Sequence, residues 1–569
     1  MGWGHYNLRF ELIRAMIGAS ASVMNRRPEA TRRPIYGARL IPFLLLSLVQ
    51  VGAVFLAGCG VDLANPPRLA TATALAALTP TPRLAPLQLA APTATPPAAG
   101  ETLPDLSAPV IAGDAGATRT PNAGLTIWID EASPEHQAVL DQMAADFADR
   151  HGIDVAVQLV SPRLLPDLVA TGVLSGTLPD LILHPIEYTA GWAENGILDG
   201  AAAAELIDRL GADTFDPAAL ELVSVGGAPA AVPSDGYHQL LLYRADWFAD
   251  NGLQPPGTFA AMATAAERLF NREALITGLI IPTESNLITT HQAFEQIALA
   301  NGCRLIDEAG EVTILDPACR TAIEHYFTTI NRYSPSGVQT DTSASNAFLA
   351  GQTAMIVTSP AILPDLAGLN PAAAPNCPEC EAGEDGVNFL AGNTGILTEI
   401  TGPAGQPTAF GNMRSLGITT TADRAAAQAF VEYWFEEGYE AWLAVNSERK
   451  VPLRWGTAES PRRFIDAWGS APLAGSQLSL IDIYGDEVVA RLRDGVATAP
   501  RWGLREGYGG LITQLYNDYI ISIVLQEMLS GYFPTDTTLR EAYRRTVELI
   551  PNYAFPILTA ETPTPTAEP

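Results

Sequence analysis

The sequence predicts an α/β fold, and three observations carry the prediction. Short apolar strands alternate with amphipathic helices from Leu125 onward. About 430 residues, at positions 124–556, are available for a folded body, which is enough for two lobes. Residues 63–122, ahead of that body, are rich in Ala, Pro and Thr. Such a segment buries too little apolar surface to fold, so it predicts a disordered tether.

A basic segment followed by an apolar one precedes the tether. Five arginines between positions 26 and 39 come before the apolar run 40–57, and Leu-Ala-Gly stands directly before Cys59. This pattern is typical of a secretory signal. It resembles the signal of bacterial lipoproteins, which implies acyl chains on Cys59. The alternative is a membrane-spanning anchor, because the apolar run is about long enough to cross a bilayer. Both place the body outside the cell, and a start at Met24 would give a signal of more ordinary length.

These features divide the chain into four predicted segments. They are a lipoprotein signal peptide at 1–58, the lipidated Cys59 with its disordered tether at 59–122, the folded body at 123–556 and a disordered tail at 557–569. We expect a monomer held on the outer side of the cell membrane by lipid.

The charge balance excludes one class of partner. The chain has 62 acidic and 33 basic side chains and a formal net charge of −29. Proteins that bind nucleic acid present basic surfaces to its phosphates, so we expect no nucleic-acid partner.

Four cysteines remain besides Cys59, and an even number in an oxidising compartment favours two disulfides. We predict a bridge from Cys303 to Cys319, because the residues between them read as a hairpin, and a second from Cys377 to Cys380. For this Cys-X-X-Cys pair the alternatives are a redox couple and half a zinc site. The pair lies in a Pro- and Gly-rich loop, and no second such pair supplies further zinc ligands, so we expect structural disulfides and no metal.

The elements of the body follow in order. Leu125–Asp130 is an apolar strand, and Ser133 can cap a helix that has Pro134 at its first position. The buried face of that helix carries three apolar residues at four-residue spacing: Val139, Met143 and Phe147. Alternating residues at 153–159 predict a second strand.

A second helix at 162–174, with Leu164, Leu165 and Leu168 facing inward, leads to a buried strand at 179–183. This alternation predicts a parallel sheet with right-handed crossovers. Ligands of such sheets bind at the carboxyl ends of the strands, here at 130–131 and 184–187.

The body also carries a series of short motifs in a fixed order. They are Leu-Thr-Ile-Trp-Ile at 125–129, Gly-Thr-Leu-Pro-Asp at 176–180, Trp-Ala-Glu-Asn-Gly-Ile-Leu at 192–198, Leu-Tyr-Arg-Ala-Asp at 242–246, Asn-Gly-Cys-Arg-Leu-Ile-Asp at 301–307, Ala-Phe-Leu-Ala-Gly at 347–351 and Arg-Lys-Val-Pro at 449–452. In order and spacing they resemble the extracellular solute-binding proteins of ATP-driven importers, the group that includes maltose- and other sugar-binding proteins.

The resemblance implies a two-lobe periplasmic-binding-protein-like fold of type II, with hinge strands and an interlobe cleft that closes over ligand. The strands would cross near 233–237 and within 388–411. By analogy, lobe I holds about 124–235 and 410–450, and lobe II about 236–409 and 451–556.

Candidate ligand-binding residues come first from lobe I and its crossing strand. Sugar sites combine aromatic faces with planar polar groups that bond hydroxyls. Glu131, His184 and Glu187 follow the first and third strands, and Asp235 and Tyr237 lie in the first crossing strand. Their structural alternatives are a solvated carboxylate, a buried histidine and a stabilised hinge turn.

Three more candidates follow later in the chain. Thr358 comes after the strand at 355–357, where the family often has an aromatic residue, and this departure argues against a maltodextrin pocket. Asn412 lies beside Arg414 after the second crossing. Trp502 lies in a loop where the family often offers an aromatic, although it could equally anchor the core. We expect Trp434 and Trp442, on a helix at 424–445, to pack in the interior.

Catalytic motifs of hydrolases, zinc proteases and phosphate- or dinucleotide-binding enzymes are absent from the sequence. The resemblance implies a binding component without a cofactor, which captures a carbohydrate or polyol and passes it to a membrane permease. Two other functions stay open. One is a ligand receptor of the same fold that signals to a sensor kinase. The other is a glycoside-active enzyme with Glu131 and Glu187 as its paired carboxylates.

Overall fold

The computed structural model describes residues 124–131, 133–380, 388–551 and 553. The predicted signal peptide, Cys59, the tether and the tail lie outside these residues.

The strands, numbered along the described chain, are β1 Leu125–Asp130, β2 Val155–Val160, β3 Leu181–Pro185, β4 Ser224–Val225, β5 Ala228–Pro229, β6 Val232–His238, β7 Leu240–Arg244, β8 Met355–Thr358, β9 Thr394–Leu397, β10 Glu399–Ile400, β11 Thr408–Ala409, β12 Gly411–Ile418 and β13 Val451–Pro452.

The helices are α1 Pro134–His151, α2 Leu165–Ser175, α3 Ile186–Glu194, α4 Gly200–Leu210, α5 Pro217–Leu222, α6 Ala245–Asp250, α7 Phe259–Leu269, α8 Ile288–Ala300, α9 Pro317–Tyr333, α10 Asp341–Leu349, α11 Leu363–Leu366, α12 Phe389–Asn393, α13 Arg424–Tyr433, α14 Tyr439–Ala444, α15 Arg463–Ala467, α16 Leu480–Arg493, α17 Gly509–Asn517, α18 Ile520–Leu529 and α19 Thr535–Glu548.

The first sheet has six strands in the order β13-β6-β12-β3-β1-β2. β1 pairs in parallel with β2 and β3, whereas β12 is antiparallel to β3 and β6. Ile127 and Leu183 are buried on this sheet in one apolar cluster with Phe147 of α1 and Phe430 of α13. The mixed sheet is therefore held between helices, as an α/β fold requires.

The second sheet has three strands in the order β8-β7-β9, with β7 antiparallel to both neighbours. Leu242, Ile356 and Ile396 are buried there in a cluster that also contains Phe348 of α10. This sheet forms a second layered unit, distinct in its hydrogen bonding from the first.

The chain crosses between the two sheets twice. Gln239 is the single residue between β6 of the first sheet and β7 of the second, and its backbone N–H donates to the carbonyl oxygen of Phe410 at 2.9 Å. The return runs from β9 through the hairpin of β10 and β11 into β12. The two crossings are thus adjacent and hydrogen-bonded to each other.

Most predicted elements agree with the structure, and the differences have local causes. The second helix begins at Leu165 rather than at 162, because a turn hydrogen-bonded from Leu164 N to Ser161 O precedes it. Leu164 therefore lies outside the helix and is 51% exposed, so its predicted inward orientation was wrong.

The predicted helix at 424–445 is interrupted by a π-helical turn at Trp434–Gly438. Trp434 is the first residue of this turn and Trp442 lies in α14; both are fully buried, with ring centroids 5.1 Å apart. Their predicted packing role is confirmed.

Both predicted cysteine pairs are at disulfide distance. Cys303 is joined to Cys319, with Cα atoms 4.6 Å apart, and Cys377 to Cys380, with Cα atoms 5.0 Å apart. The first bridge spans the turn closed by the antiparallel bridge between Ile306 and Val312.

Among the described residues, the structure contains no helix with the length and apolar character needed to cross a membrane.

Candidate functional site

A cavity of about 260 Å³ is lined by residues of both sheets and of the strands that cross between them. Most of the lining side chains are polar or charged. They are Asp130, Glu187, Tyr237, Gln239, Thr289, Gln292, Asp341, Thr358, Ser359, Asn412, Arg414 and Arg449.

The topology of the first sheet brings two carboxyl groups to this cavity. β1 and β3 are parallel neighbours, so their carboxyl ends lie at the same edge of the sheet. Asp130 is the last residue of β1, and Glu187 lies in the first turn of α3, directly after β3. Both are nearly inaccessible to solvent.

The crossing strands supply the floor of the cavity. Antiparallel pairing of β6 with β12 sets Tyr237 opposite Asn412 and Asp235 opposite Arg414. Tyr237, Asn412 and Arg414 line the cavity, whereas Asp235 lies beneath them.

Asp235 is fully buried and holds the guanidinium of Arg414. Arg414 donates to Asp235 Oδ1 from Nη2 at 2.5 Å and from Nε at 3.0 Å, and Trp442 Nε1 donates to Oδ2 at 2.8 Å. Burial alone would raise the pKa of Asp235, but Arg414, Lys450 and these hydrogen bonds outweigh it and lower that pKa. Asp235 therefore remains ionised and fixes the position of Arg414.

Three carboxyl groups in the cavity wall have pKa values shifted the other way. Burial raises the pKa of Asp130 to about 7; Arg414 opposes this shift, and the charges of Glu131 and Glu187 add to it. Burial also raises the pKa of Glu187 and of Asp341. These groups lose water without gaining a full countercharge.

Arg449 also lines the cavity, beside Tyr237. Its guanidinium carbon lies 5.4 Å from the centroid of the Tyr237 ring, and its side chain is 25% exposed. Glu131 Oε2 lies 3.9 Å from Arg449 Nη1 and 3.6 Å from Arg414 Nη1. Glu131 therefore shares its charge between the two arginines.

Helix α8 supplies the cavity wall opposite β3 and β12 and forms hydrogen bonds across the cavity. Gln292 Nε2 donates to Glu187 Oε1 at 3.2 Å and to Asn412 Oδ1 at 2.9 Å. The Thr289 hydroxyl, one turn earlier, donates to Asp341 Oδ2 at 2.7 Å. One helix face thus contributes polar groups to the cavity and bonds directly to the opposite wall.

Behind Glu187 lies a buried charged cluster centred on Arg501. Arg501 donates to Glu295 Oε1 at 3.2 Å, to the Gly411 carbonyl oxygen at 3.3 Å and to the Tyr516 hydroxyl at 3.0 Å. Its Nη2 lies 3.8 Å from Glu187 Oε2. The cluster connects α3, α8, β12 and α17 beneath the cavity.

This fold and its cleft can be compared with those of known proteins. The model of a family described as bacterial extracellular solute-binding protein matches residues 142–455, which is more than half of the chain. The chain belongs to this family. Its fold is accordingly the two-lobe α/β fold of solute-binding proteins, as the sequence predicted, and the family consists of extracellular binding proteins.

Two curated relatives of this solute-binding protein are described as components of ABC transporters. The putative ABC transporter periplasmic-binding protein YcjN of Escherichia coli is 26% identical over 246 residues, 43% of this chain and 57% of the relative. A probable ABC transporter-binding protein of Deinococcus radiodurans is 25% identical over 200 residues, 34% of this chain and 44% of the relative. The matched region of the solute-binding protein thus spans about half the length of these relatives.

Solved structures share its fold at low sequence identity. T. maritima MalE3 with bound maltose has a TM-score of 0.57 at 18% identity, covering 75% of this chain and 100% of that one. A Thermotoga lettingae solute-binding protein bound with α-D-tagatose has a TM-score of 0.59 at 20% sequence identity, and the match covers 75% of this chain and 99% of that one. An Agrobacterium vitis solute-binding protein with bound D-mannitol has a TM-score of 0.54 at 17% sequence identity, and the match covers 75% of this chain and 98% of that one.

Four of the eight predicted ligand-binding residues line the cavity of the solute-binding protein: Glu187, Tyr237, Thr358 and Asn412. They come from α3, β6, β8 and β12, so the fold brings together residues that are more than 200 positions apart in sequence.

The other four predicted residues lie behind the cavity or away from it. Glu131 and Asp235 hold the cavity arginines from behind. His184 is buried against the edge of Trp192, with Nδ1 3.0 Å from the Pro185 carbonyl oxygen. Trp502 is buried in an apolar cluster that also contains Phe294 of α8, and its indole N–H donates to the Cys303 carbonyl oxygen at 3.0 Å.

Sequence reasoning placed Asp130 at a strand end where ligands bind but chose only its neighbour Glu131 as a candidate, although the strand-end rule applies to both. It did not single out Gln292, Asp341 or Arg449. A signal for Gln292 was also present. Buried helix α8 carries an unusual run of polar side chains, Thr290, His291, Gln292, Glu295 and Gln296, which an interior helix would carry only to meet polar partners.

Within the described parts of the chain, no group of three or more His, Cys, Asp or Glu side chains is arranged to hold a metal ion.

Proposed function

We propose that this protein captures a small carbohydrate or polyol in the cavity between its lobes and delivers it to the permease of an ATP-driven importer. The observation that carries the proposal is the cavity between the two sheets, whose lining combines hydrogen-bond donors and acceptors from both sides. A polyhydroxylated molecule offers both donors and acceptors along its whole length, so it can satisfy both walls at once.

The size of the cavity supports a small solute. Its volume of about 260 Å³ lies just below the range of about 300 to 1,000 Å³ that is usual for ligand pockets. Tyr237 is the single aromatic side chain among its lining residues, which leaves little stacking surface for a chain of sugars. Monomeric sugars and alditols, such as the tagatose and mannitol named for two structural neighbours, suit it better than oligosaccharides.

Closure of the lobes would follow from the contacts of α8. Gln292 already bonds Glu187 and Asn412 on the opposite wall, so a solute between the walls would add hydrogen bonds to a contact that the protein can form by itself. Ligand shifts the lobes toward the closed form only through such contacts that the open form lacks.

The role in transport comes from the curated relatives, which are described as ABC transporter binding proteins. The lipid anchor on Cys59, the four chain segments and the lobe limits given above remain predictions. Catalysis is not part of the proposal, since the family and the fold are those of binding proteins.

A thermal-shift screen followed by calorimetry tests the solute class. Purified protein is screened against monosaccharides, alditols and oligosaccharides. We expect at least one monomeric sugar or alditol to stabilise it, by about 2.7 kcal/mol at 100 times the dissociation constant. Gln292→Ala should weaken that binding, whereas Gln142→Ala, on the exposed face of α1, should not. If no sugar or alditol binds, or if only long oligosaccharides do, the proposal fails.

Metabolic labelling with a fatty acid tests the anchor. The wild-type chain should incorporate the label and sediment with membranes, and Cys59→Ser should lose the label. A membrane-spanning anchor predicts that both proteins sediment and that neither is labelled, which would contradict lipidation.

A further inference from the structure

The three arginines around the cavity are already paired with carboxylates. Arg414 is paired with Asp235 at 2.5 Å, and Arg449 approaches Glu131 at 3.9 Å. Arg501, beneath the cavity, is paired with Glu295 at 3.2 Å. Each of the three arginines therefore already has a carboxylate within ion-pair distance, and Glu131 serves both Arg414 and Arg449.

Three carboxyl groups that face the cavity remain after this pairing: Asp130, Glu187 and Asp341. Among the described residues, no ion pair joins Asp130 or Asp341 to a cation, and Glu187 has Arg501 only at 3.8 Å. The cavity thus carries an excess of acidic groups, in a region where low solvent access strengthens electrostatic interactions.

Two of these groups also lack hydrogen-bond partners. Asp130 Oδ1 and Glu187 Oε2 accept no hydrogen bond from the described residues, although Asp130 is only 6% exposed and Glu187 only 1%. Buried acceptors without a donor are rare in native proteins and indicate a missing partner. Glu187 Oε2 faces Arg501 beneath the cavity, at 3.8 Å from its Nη2. Asp130 Oδ1 belongs to a lining residue that no ion pair joins to a cation among the described residues, so its missing partner fits a ligand in the cavity.

We propose that the cavity selects a polyhydroxylated solute that carries a protonated amine, an amino sugar or an aminopolyol, over its neutral counterpart. The inference rests on the proposed function and narrows its solute class. An ammonium group offers three donors and a positive charge, which suits unpaired carboxylates. The hydroxyls of the same molecule suit Asn412, Gln292 and Thr358.

Other charged ligands fit these residues less well. An anionic sugar would bring a further negative charge to the three unpaired carboxyl groups. A metal ion needs several oxygen or nitrogen ligands converging on one point, and the described residues contain no such cluster. An organic cation with spaced polar groups matches the dispersed carboxylates.

The selectivity should depend on pH through Asp130. The charged and titratable groups around it are Glu131, Glu187, Tyr188, Arg414 and Arg449. Burial raises the pKa of Asp130 to about 7, so it is largely protonated below that pH. A cation binds the ionised form better, and its affinity should therefore fall as the pH drops from 8 to 5.5. An alkyl amine, with a pKa of about 10 like that of lysine, stays protonated across this range.

Isothermal titration of matched pairs tests the inference. The probes are 1-amino-1-deoxyglucitol against glucitol and 1-amino-1-deoxymannitol against mannitol, each at pH 8.0 and 5.5. We expect the amine of at least one pair to bind at least tenfold more tightly than its neutral partner at pH 8.0, and this ratio to shrink at pH 5.5.

Two variants separate the charge effect from damage to the fold. Asp130→Asn keeps the shape of the side chain and should reduce the amine preference to threefold or less while the neutral alditol still binds. Asp208→Asn, on the exposed surface of α4, should change neither. Equal or tighter binding of the neutral partner, or a preference unchanged in Asp130→Asn, would overturn the inference and leave the proposed function intact. Failure of every solute, charged or neutral, would overturn both.

Discussion

Asp235 is a carboxyl group that several side chains hold ionised beneath the cavity, and its removal tests that arrangement. Asp235→Asn would leave Arg414 buried without its countercharge, so we expect a loss of about 3 to 5 kcal/mol in the free energy of unfolding. Urea denaturation measures it. In the matched control Asp466→Asn, the exposed pair with Arg462 is lost, and the change should stay below about 1 kcal/mol. Similar losses in the free energy of unfolding in both variants would show that the buried pair stabilises the fold no more than the exposed pair does.

Asp130 should make the ligand-free protein less stable as the pH rises, because burial raises its pKa. Its pKa is about 7 in the folded protein, against an ordinary value of 3.8 for an exposed Asp, so the folded state holds the proton more tightly between these values. Stability from this group is present below about pH 4 and is lost as the pH rises toward 7.

Asp130→Asn removes that dependence. Relative to wild type, the variant should therefore gain stability as the pH rises from 4 to 7, by up to roughly 4 kcal/mol at 1.36 kcal/mol per pKa unit. Denaturation at several pH values measures the difference. A gain that is constant across the range would contradict the assigned shift.

The crossing strands are the elements on which lobe geometry depends, and one glycine in them meets a neighbouring loop. A Cβ atom on Gly411, at the start of β12, would collide with the carbonyl oxygen of Val496. Gly411→Ala should therefore displace the 494–499 loop, lower the melting temperature and weaken solute binding. Gly392→Ala is the control, because a Cβ there meets open space. Unchanged melting and binding in Gly411→Ala would show that the loop yields without cost.

Elements that depend on local sequence were predictable, and the details of the site were not. β1 has the predicted limits because its alternating burial holds from Leu125 to Ile129 and then ends at the polar residues Asp130 and Glu131. α2 was predicted too early because a turn and a helix start both tolerate Pro162 and its neighbours. The strand-end rule located Glu187 but not Gln292, since the position of α8 opposite β3 depends on the packing of a second lobe that no local pattern specifies.

The molecule as a whole should change shape when solute binds. We expect a decrease in the radius of gyration in small-angle X-ray scattering when a solute identified by the screen is added, because hinged lobes close around ligand. Gln292→Ala, which removes the direct bonds between the walls, should give a larger radius without solute than wild type. An identical radius with and without a bound solute would contradict closure.

Gln239 sets how that motion can occur. It is the single residue between the last residue of β6 and the first of β7, and its backbone N–H donates to Phe410 on the neighbouring crossing. We expect a small change in the backbone torsion angles of Gln239 to displace the parts of the two lobes farthest from it by a much larger distance. Both sheets can therefore keep their internal hydrogen bonds while the gap between them opens and shuts.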